Sequence, residues 1–128
     1  MDRLATFDAV TIDCSDPMTL ARFWGLIFDT KVDWVSSNAD PRYIDLEVVP
    51  GVVPRLRFQR VPEAKSMKNR LHLDLLVDDP EDACARIEEL GGRRSVEEPF
   101  TEYGFTWIVM QDPEGNEFCI GPLSDDGR

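Results

Sequence analysis

Polar and apolar residues alternate along Ala9 to Asp13 and again along Leu71 to Val77, a period of two that predicts strands. Each stretch runs into a short acidic and proline signal, Ser15-Asp16-Pro17 in the first and Asp78-Asp79-Pro80 in the second. The apolar period then lengthens. Leu20, Phe23, Trp24 and Ile27 recur at helical spacing, as do Ala83, Ile87 and Leu90. An aspartate accepts the orphan amides of a first helical turn, and proline is pre-set for the first helical position. Gly91-Gly92 is a strong helix stop and Asp29-Thr30 a weaker one.

Three strand-like runs follow each helix. The first set is Lys31 to Val35, Tyr43 to Val49 and Arg55 to Val61. The second is Arg93 to Val96, Phe105 to Gln111 and Glu117 to Ile120, with Asp112-Pro113-Glu114-Gly115-Asn116 as a turn by composition. The chain therefore reads as an internal repeat of two β-α-β-β-β units, about 4–61 and 69–123. They are joined by the polar connector Pro62 to Asn69, inside one domain spanning 1–124 with a tail at 125–128. The fold class is α+β.

Alternation also assigns faces. Val10, Ile12, Leu56, Phe58, Leu73, Leu75, Val77, Ile108, Met110, Phe118 and Ile120 are expected to face the helices. The opposite face carries Ala9, Thr11, Asp13, Asp45, Glu47, Arg55, Arg57, Gln59, His72, Asp74, Trp107, Glu117 and Cys119, a mostly polar set of mixed charge.

Composition narrows the function classes. The chain has 128 residues, 42% of them apolar, enough for a real core. Its net charge of -11 argues against nucleic acid and anionic membrane, which call for a basic face. No segment reads as a signal peptide or a bilayer span. Cys14, Cys84 and Cys119 are odd in number and widely spaced, which suits reduced thiols and a cytoplasmic location. There is no Cys-x-x-Cys pair, Gly-rich phosphate loop, Gly-x-Ser-x-Gly or His-Glu-x-x-His.

His72 is the sole histidine. Its unperturbed pKa near 6.5 suits proton transfer, so a catalytic base or hydrogen-bonding role stands beside a metal-ligand role and a purely structural one. Cys119 reads as either a small buried filler or a nucleophile in need of a nearby base. Arg57 and Arg55 can meet an anionic group or be solvated surface. Trp107 and Tyr103 can stack on a planar ligand or simply pack.

The tandem units, "VTIDCSDP" leading into "ARFWGLIF", "LHLDLLVDDP" leading into "ARIEELGG", and the closing "QDPEGNEFCIGP" together resemble the vicinal oxygen chelate superfamily of glyoxalases, bleomycin-resistance proteins and extradiol dioxygenases. The resemblance covers about Leu4 to Leu123, and its nearest flavour is the glyoxalase-like branch. It implies a cup-shaped mixed sheet, a cleft between the sheets, a homodimer, and a divalent metal that polarises vicinal substrate oxygens. Carried over residue by residue, the four metal positions fall on Ala9, Gln59, His72 and Cys119. Alanine cannot ligate, and the set offers no carboxylate to a hard cation. The cofactor expectation is none or a divalent metal held through His72, in a degraded or absent site. The substrate-binding set expected from alternation and resemblance is Gln59, Cys119, Asp74, Arg57, Trp107 and Glu117, with His72 as the catalytic residue. Two functions stay open. One is an enzyme on a small oxygenated metabolite, of lyase or dioxygenase type. The other is a non-catalytic binder of the antibiotic-sequestering kind.

Overall fold

The computed structural model of the protein describes residues 2–95 and 98–123. They form an α+β fold with two mixed sheets and two helices, dividing into compact units at Ala64/Lys65, inside the expected connector.

The first unit contains β1 (Val10–Cys14), α1 (Pro17–Phe28), β2 (Val32–Val35), β3 (Tyr43–Leu46) and β4 (Leu56–Arg60). Its sheet order is β1-β4-β3-β2, with β1 parallel to β4 and the other pairs antiparallel. Asp16 caps α1: its carboxylate accepts from the Thr19 amide at 3.3 Å and the Thr19 hydroxyl at 2.7 Å, and Pro17 opens the helix. The Asp29-Thr30 stop works through a left-handed Asp29 (φ 52°) and the bond from the Thr30 amide to the Gly25 carbonyl at 2.9 Å. Leu20, Phe23 and Trp24 of α1 lie buried with Ile44, Leu46, Leu56 and Phe58 of the sheet. The Phe23 and Trp24 rings meet edge to face, centroids 5.2 Å apart.

The second unit contains β5 (Leu73–Val77), α2 (Pro80–Glu89), β6 (Arg93–Arg94), β7 (Phe100–Glu102), β8 (Phe105–Gln111) and β9 (Glu117–Pro122). Its order is β5-β9-β8-β6, and β7 pairs with β8. Asp79 caps α2 by accepting from the Glu81 and Asp82 amides at 3.1 and 3.2 Å. Cys84 and Ile87 are buried with Ile108, Met110, Phe118 and Ile120.

Three sequence expectations need correction. The strand expected over Tyr43 to Val49 ends at Leu46, because the chain turns back on itself through a Val49–Val53 bridge. The strand expected over Arg93 to Val96 pairs only at Arg93–Arg94, and its last residue and the tail at 125–128 lie outside the described residues. The second unit is β-α-β-β-β-β. Phe100–Glu102 forms an extra short strand that turns into β8 through Tyr103 and Gly104, both at positive φ (51° and 83°). Positive φ at both central residues matches the right-handed twist of a tight hairpin. No helix among the described residues is long and apolar enough to cross a membrane.

Candidate functional site

The turn before β9 sets the register on which the site depends. Asp112 is fully buried, and its carboxylate accepts from the Glu114 and Asn116 amides at 2.9 and 3.0 Å and from the Asn116 side-chain amide at 3.0 Å. Gly115 takes φ 88°, a conformation that L side chains rarely adopt. The turn starts β9 with Glu117 opposite Gln111 and Cys119 opposite Val109. On its other edge β9 runs parallel to β5, with Leu73 beside Phe118 and Asp74 beside Cys119.

Phe118 and Ile120 point to the helix side, so Glu117, Cys119 and Gly121 share the opposite face. Three arrangements follow along that face. In the middle, a His72 ring nitrogen, an Asp74 carboxylate oxygen and the Cys119 Sγ all lie within 4.8 Å of one another. His72 Nδ1 is 3.0 Å from Asp74 Oδ1. The His72 and Asp74 side chains are 38% and 53% exposed, while Cys119 is only 6% exposed. The middle group is therefore an open imidazole-carboxylate pair over a nearly enclosed thiol.

At the N-terminal end of β9, Glu117 is fully engaged. Its Oε1 accepts from the Asn69 amide at 2.7 Å and its Oε2 from the Lys65 ammonium at 2.9 Å. Burial pushes its carboxyl up, but the Asn69 amide and the Lys65 ammonium outweigh that and hold it below the usual carboxylate range. At the other end, the Trp107 indole lies over Gly121. A Cβ there would meet ring carbons at 2.8 Å, so any larger residue forces the indole to shift.

The remaining expected residues belong to the first unit. Arg57 donates from Nε and Nη2 to the two Asp45 oxygens at 2.8 and 3.1 Å, and from Nη1 to Asp8 at 3.2 Å. Asp45 is 5% exposed and also lies 3.6 Å from the Arg55 guanidinium. The Asp45 hydrogen bond, against the cost of burial, holds the Arg57 guanidinium still more firmly protonated. Arg57 thus acts first as the partner of a buried carboxylate. Gln59 is half-buried, beside Asp13 in β1 and Tyr43 in β3.

Alternation placed Asp45 and Arg57 on one face without revealing that they pair. Asn69, Lys65 and Gly121 carried no sequence signal of their own.

As a metal centre, His72, Cys119 and Asp74 offer nitrogen, sulfur and oxygen donors of the kind zinc accepts. Donors on a tetrahedral zinc ion lie about 3.5 Å apart, given bond lengths of about 2.0–2.3 Å. A separation of up to 4.8 Å means the set must contract to hold one, so the fit is partial. With Nδ1 turned to Asp74, the ring's Nε2 is the nitrogen left to ligate or to accept a proton.

No curated protein matches the chain. Among solved structures it is similar to the fosfomycin resistance protein FosX from Mesorhizobium loti, with TM-score 0.67 at 14% identity over 98% of this chain and 97% of that one. A glyoxalase-related enzyme from Fulvimarina pelagi gives 0.66 at 18% identity, over 98% and 96%. A glyoxalase/bleomycin resistance protein/dioxygenase family enzyme from Burkholderia phytofirmans PsJN gives 0.64 at 20% identity, over 91% and 98%. At these identities the likeness is one of fold. The family model of the glyoxalase-like domain matches residues 9–121, nearly the whole chain, and the protein belongs to the glyoxalase-like family of the vicinal oxygen chelate superfamily.

Proposed function

We propose that this glyoxalase-like protein binds a small oxygenated molecule on the open face of its second sheet, with His72 as the group that hydrogen-bonds or deprotonates it. The observation that carries the reading is the convergence of His72, Asp74 and Cys119 within 4.8 Å, with the imidazole open to solvent. Asp74 accepts from Nδ1–H and so selects the tautomer whose Nε2 is a free acceptor, the form a general base needs. Trp107, on the same face, supplies a ring edge for a planar ligand.

The test is NMR of the His72 ring and of the Asp74 and Cys119 amides during titration with glycolate, pyruvate and catechol. At least one probe should move all three sets of signals together, and the response should vanish in His72→Ala. If every probe leaves them in place, the reading fails. A bound probe that is never turned over would favour the antibiotic-sequestering type of binder over an enzyme.

The three unlike donors also favour a second reading, a divalent metal at His72, Cys119 and Asp74, with zinc suited to the set. Cobalt added to metal-free protein would then give a thiolate-to-cobalt charge-transfer band at one equivalent, absent in Cys119→Ser. A wild-type protein without that band removes the metal reading.

We also propose a homodimer. β2 is an edge strand that leaves Val32 and Trp34 about half exposed, an apolar edge that soluble proteins commonly cover. Sedimentation that finds only a 14.6 kDa species at micromolar concentration counts against it.

A further inference from the structure

We propose that Cys119 is a covalent capture point: its thiol adds reversibly to the carbonyl carbon of a small aldehyde or activated ketone, with His72 moving the proton. The inference rests on the ligand-binding reading of the same face and deepens it by naming the substrate class. A thiol becomes a nucleophile when a base lies near enough to take its proton and a third group orients that base. Cys119, His72 and Asp74 form that sequence of sulfur, imidazole and carboxylate. The imidazole is tied to the carboxylate at 3.0 Å, and the sulfur lies within 4.8 Å of the ring.

The placement has a local cause. Asp74 and Cys119 are adjacent in the parallel β5–β9 pair, and His72 stands two residues before Asp74 on the same side. The other two cysteines lack this setting. The Cys84 thiol faces the Met110 sulfur at 3.6 Å inside the core, and the Cys14 thiol donates to the Gln59 carbonyl at 3.5 Å. Burial pushes the Cys84 thiol up, away from the reactive thiolate.

In the addition, the thiol proton passes to the imidazole and the sulfur lone pair forms the sulfur–carbon bond. The carbonyl π pair moves to oxygen, which takes the proton back from the imidazolium. The product is a thiohemiacetal. Nothing is oxidised or reduced and no co-reactant enters. At 6% exposure, Cys119 admits only a small electrophile, so size selects the ligand.

The test uses the full chain in the presence of a chelator. Each cysteine is labelled with iodoacetamide, located by peptide mass, with and without acetaldehyde. Cys119 should label at least tenfold faster than Cys14 and Cys84, and acetaldehyde should slow its labelling alone. His72→Ala and Asp74→Asn should each slow it about tenfold or more, within the range expected for losing a general base or its orienting partner. Labelling of Cys119 no faster than the other two, or a rate unchanged in both variants, overturns the proposal. Repeating the glycolate, pyruvate and catechol titrations on Cys119→Ser separates the two claims. If His72 signals still respond there while wild-type Cys119 stays unlabelled, only the covalent step falls. If neither responds, the binding reading falls with it.

Discussion

The indole of Trp107 lies so close over Gly121 that a single added methyl would sit 2.8 Å from two of its ring carbons. Gly121→Ala is therefore expected to destabilise by about 1–3 kcal/mol, the usual cost of forcing a packed contact apart. Chemical denaturation followed by tryptophan fluorescence measures both the cost and the displaced ring. An unchanged midpoint would mean that the indole gives way freely.

His72 and Asp74 face solvent, so their replacement tests the site without dismantling the fold. His72→Ala and Asp74→Asn should change stability by no more than about 0.5 kcal/mol. Asp74→Asn should nonetheless lower the share of the Nδ1–H tautomer, since a side-chain amide binds that proton less strongly than a carboxylate. Long-range nitrogen NMR reads the tautomer directly. A large loss of stability in either variant would reassign the pair to structural duty.

Glu117 is expected to act as a latch on the segment ahead of His72. Glu117→Ala should cost about 1–3 kcal/mol, because it strands the Asn69 amide and frees Lys65. Glu117→Gln keeps an acceptor for Asn69 and should recover part of that loss. Its carboxyl is held below the ordinary value of 4.5. Its contribution is thus fully present above that value and is lost as pH falls through the lower folded value. A comparison of wild type and Glu117→Gln from pH 7 down to pH 3 should show the difference shrink in that acidic window. A constant difference contradicts the latch.

Asp45 is the buried end of a charge pair whose other end, Arg57, is partly open. Removing the arginine leaves a carboxylate away from water, so Arg57→Met should cost more than Arg55→Met, by about 1–2 kcal/mol. Arg55 lies 3.6 Å from the same carboxylate and has Asp33 at 3.1 Å as an alternative partner. Equal effects in urea denaturation would mean that Asp45 leans on both arginines alike.

The repeat was legible in the sequence because its signals are local. Asp16-Pro17 and Asp79-Pro80 start the helices by bonds spanning two or three residues, and alternation along β1 and β5 separates helix side from open side with no knowledge of partners. The same alternation put His72, Asp74, Glu117, Trp107 and Cys119 on open faces. Phe100–Glu102 went unread because the short strand has no period of its own and exists only by pairing with β8. What tertiary structure decided is which of those residues meet. Asp74 and Cys119 become neighbours through one register in a parallel pair, and a slip of one residue would bring Phe118 or Ile120 beside Asp74 instead. Glu117 and Arg57 were expected to bind substrate; Glu117 is bonded to Asn69 and Lys65, and Arg57 is paired with Asp45. Side-chain pairing of this kind is set by distance in space between strands remote in the chain, and residue types along one chain do not encode that distance locally.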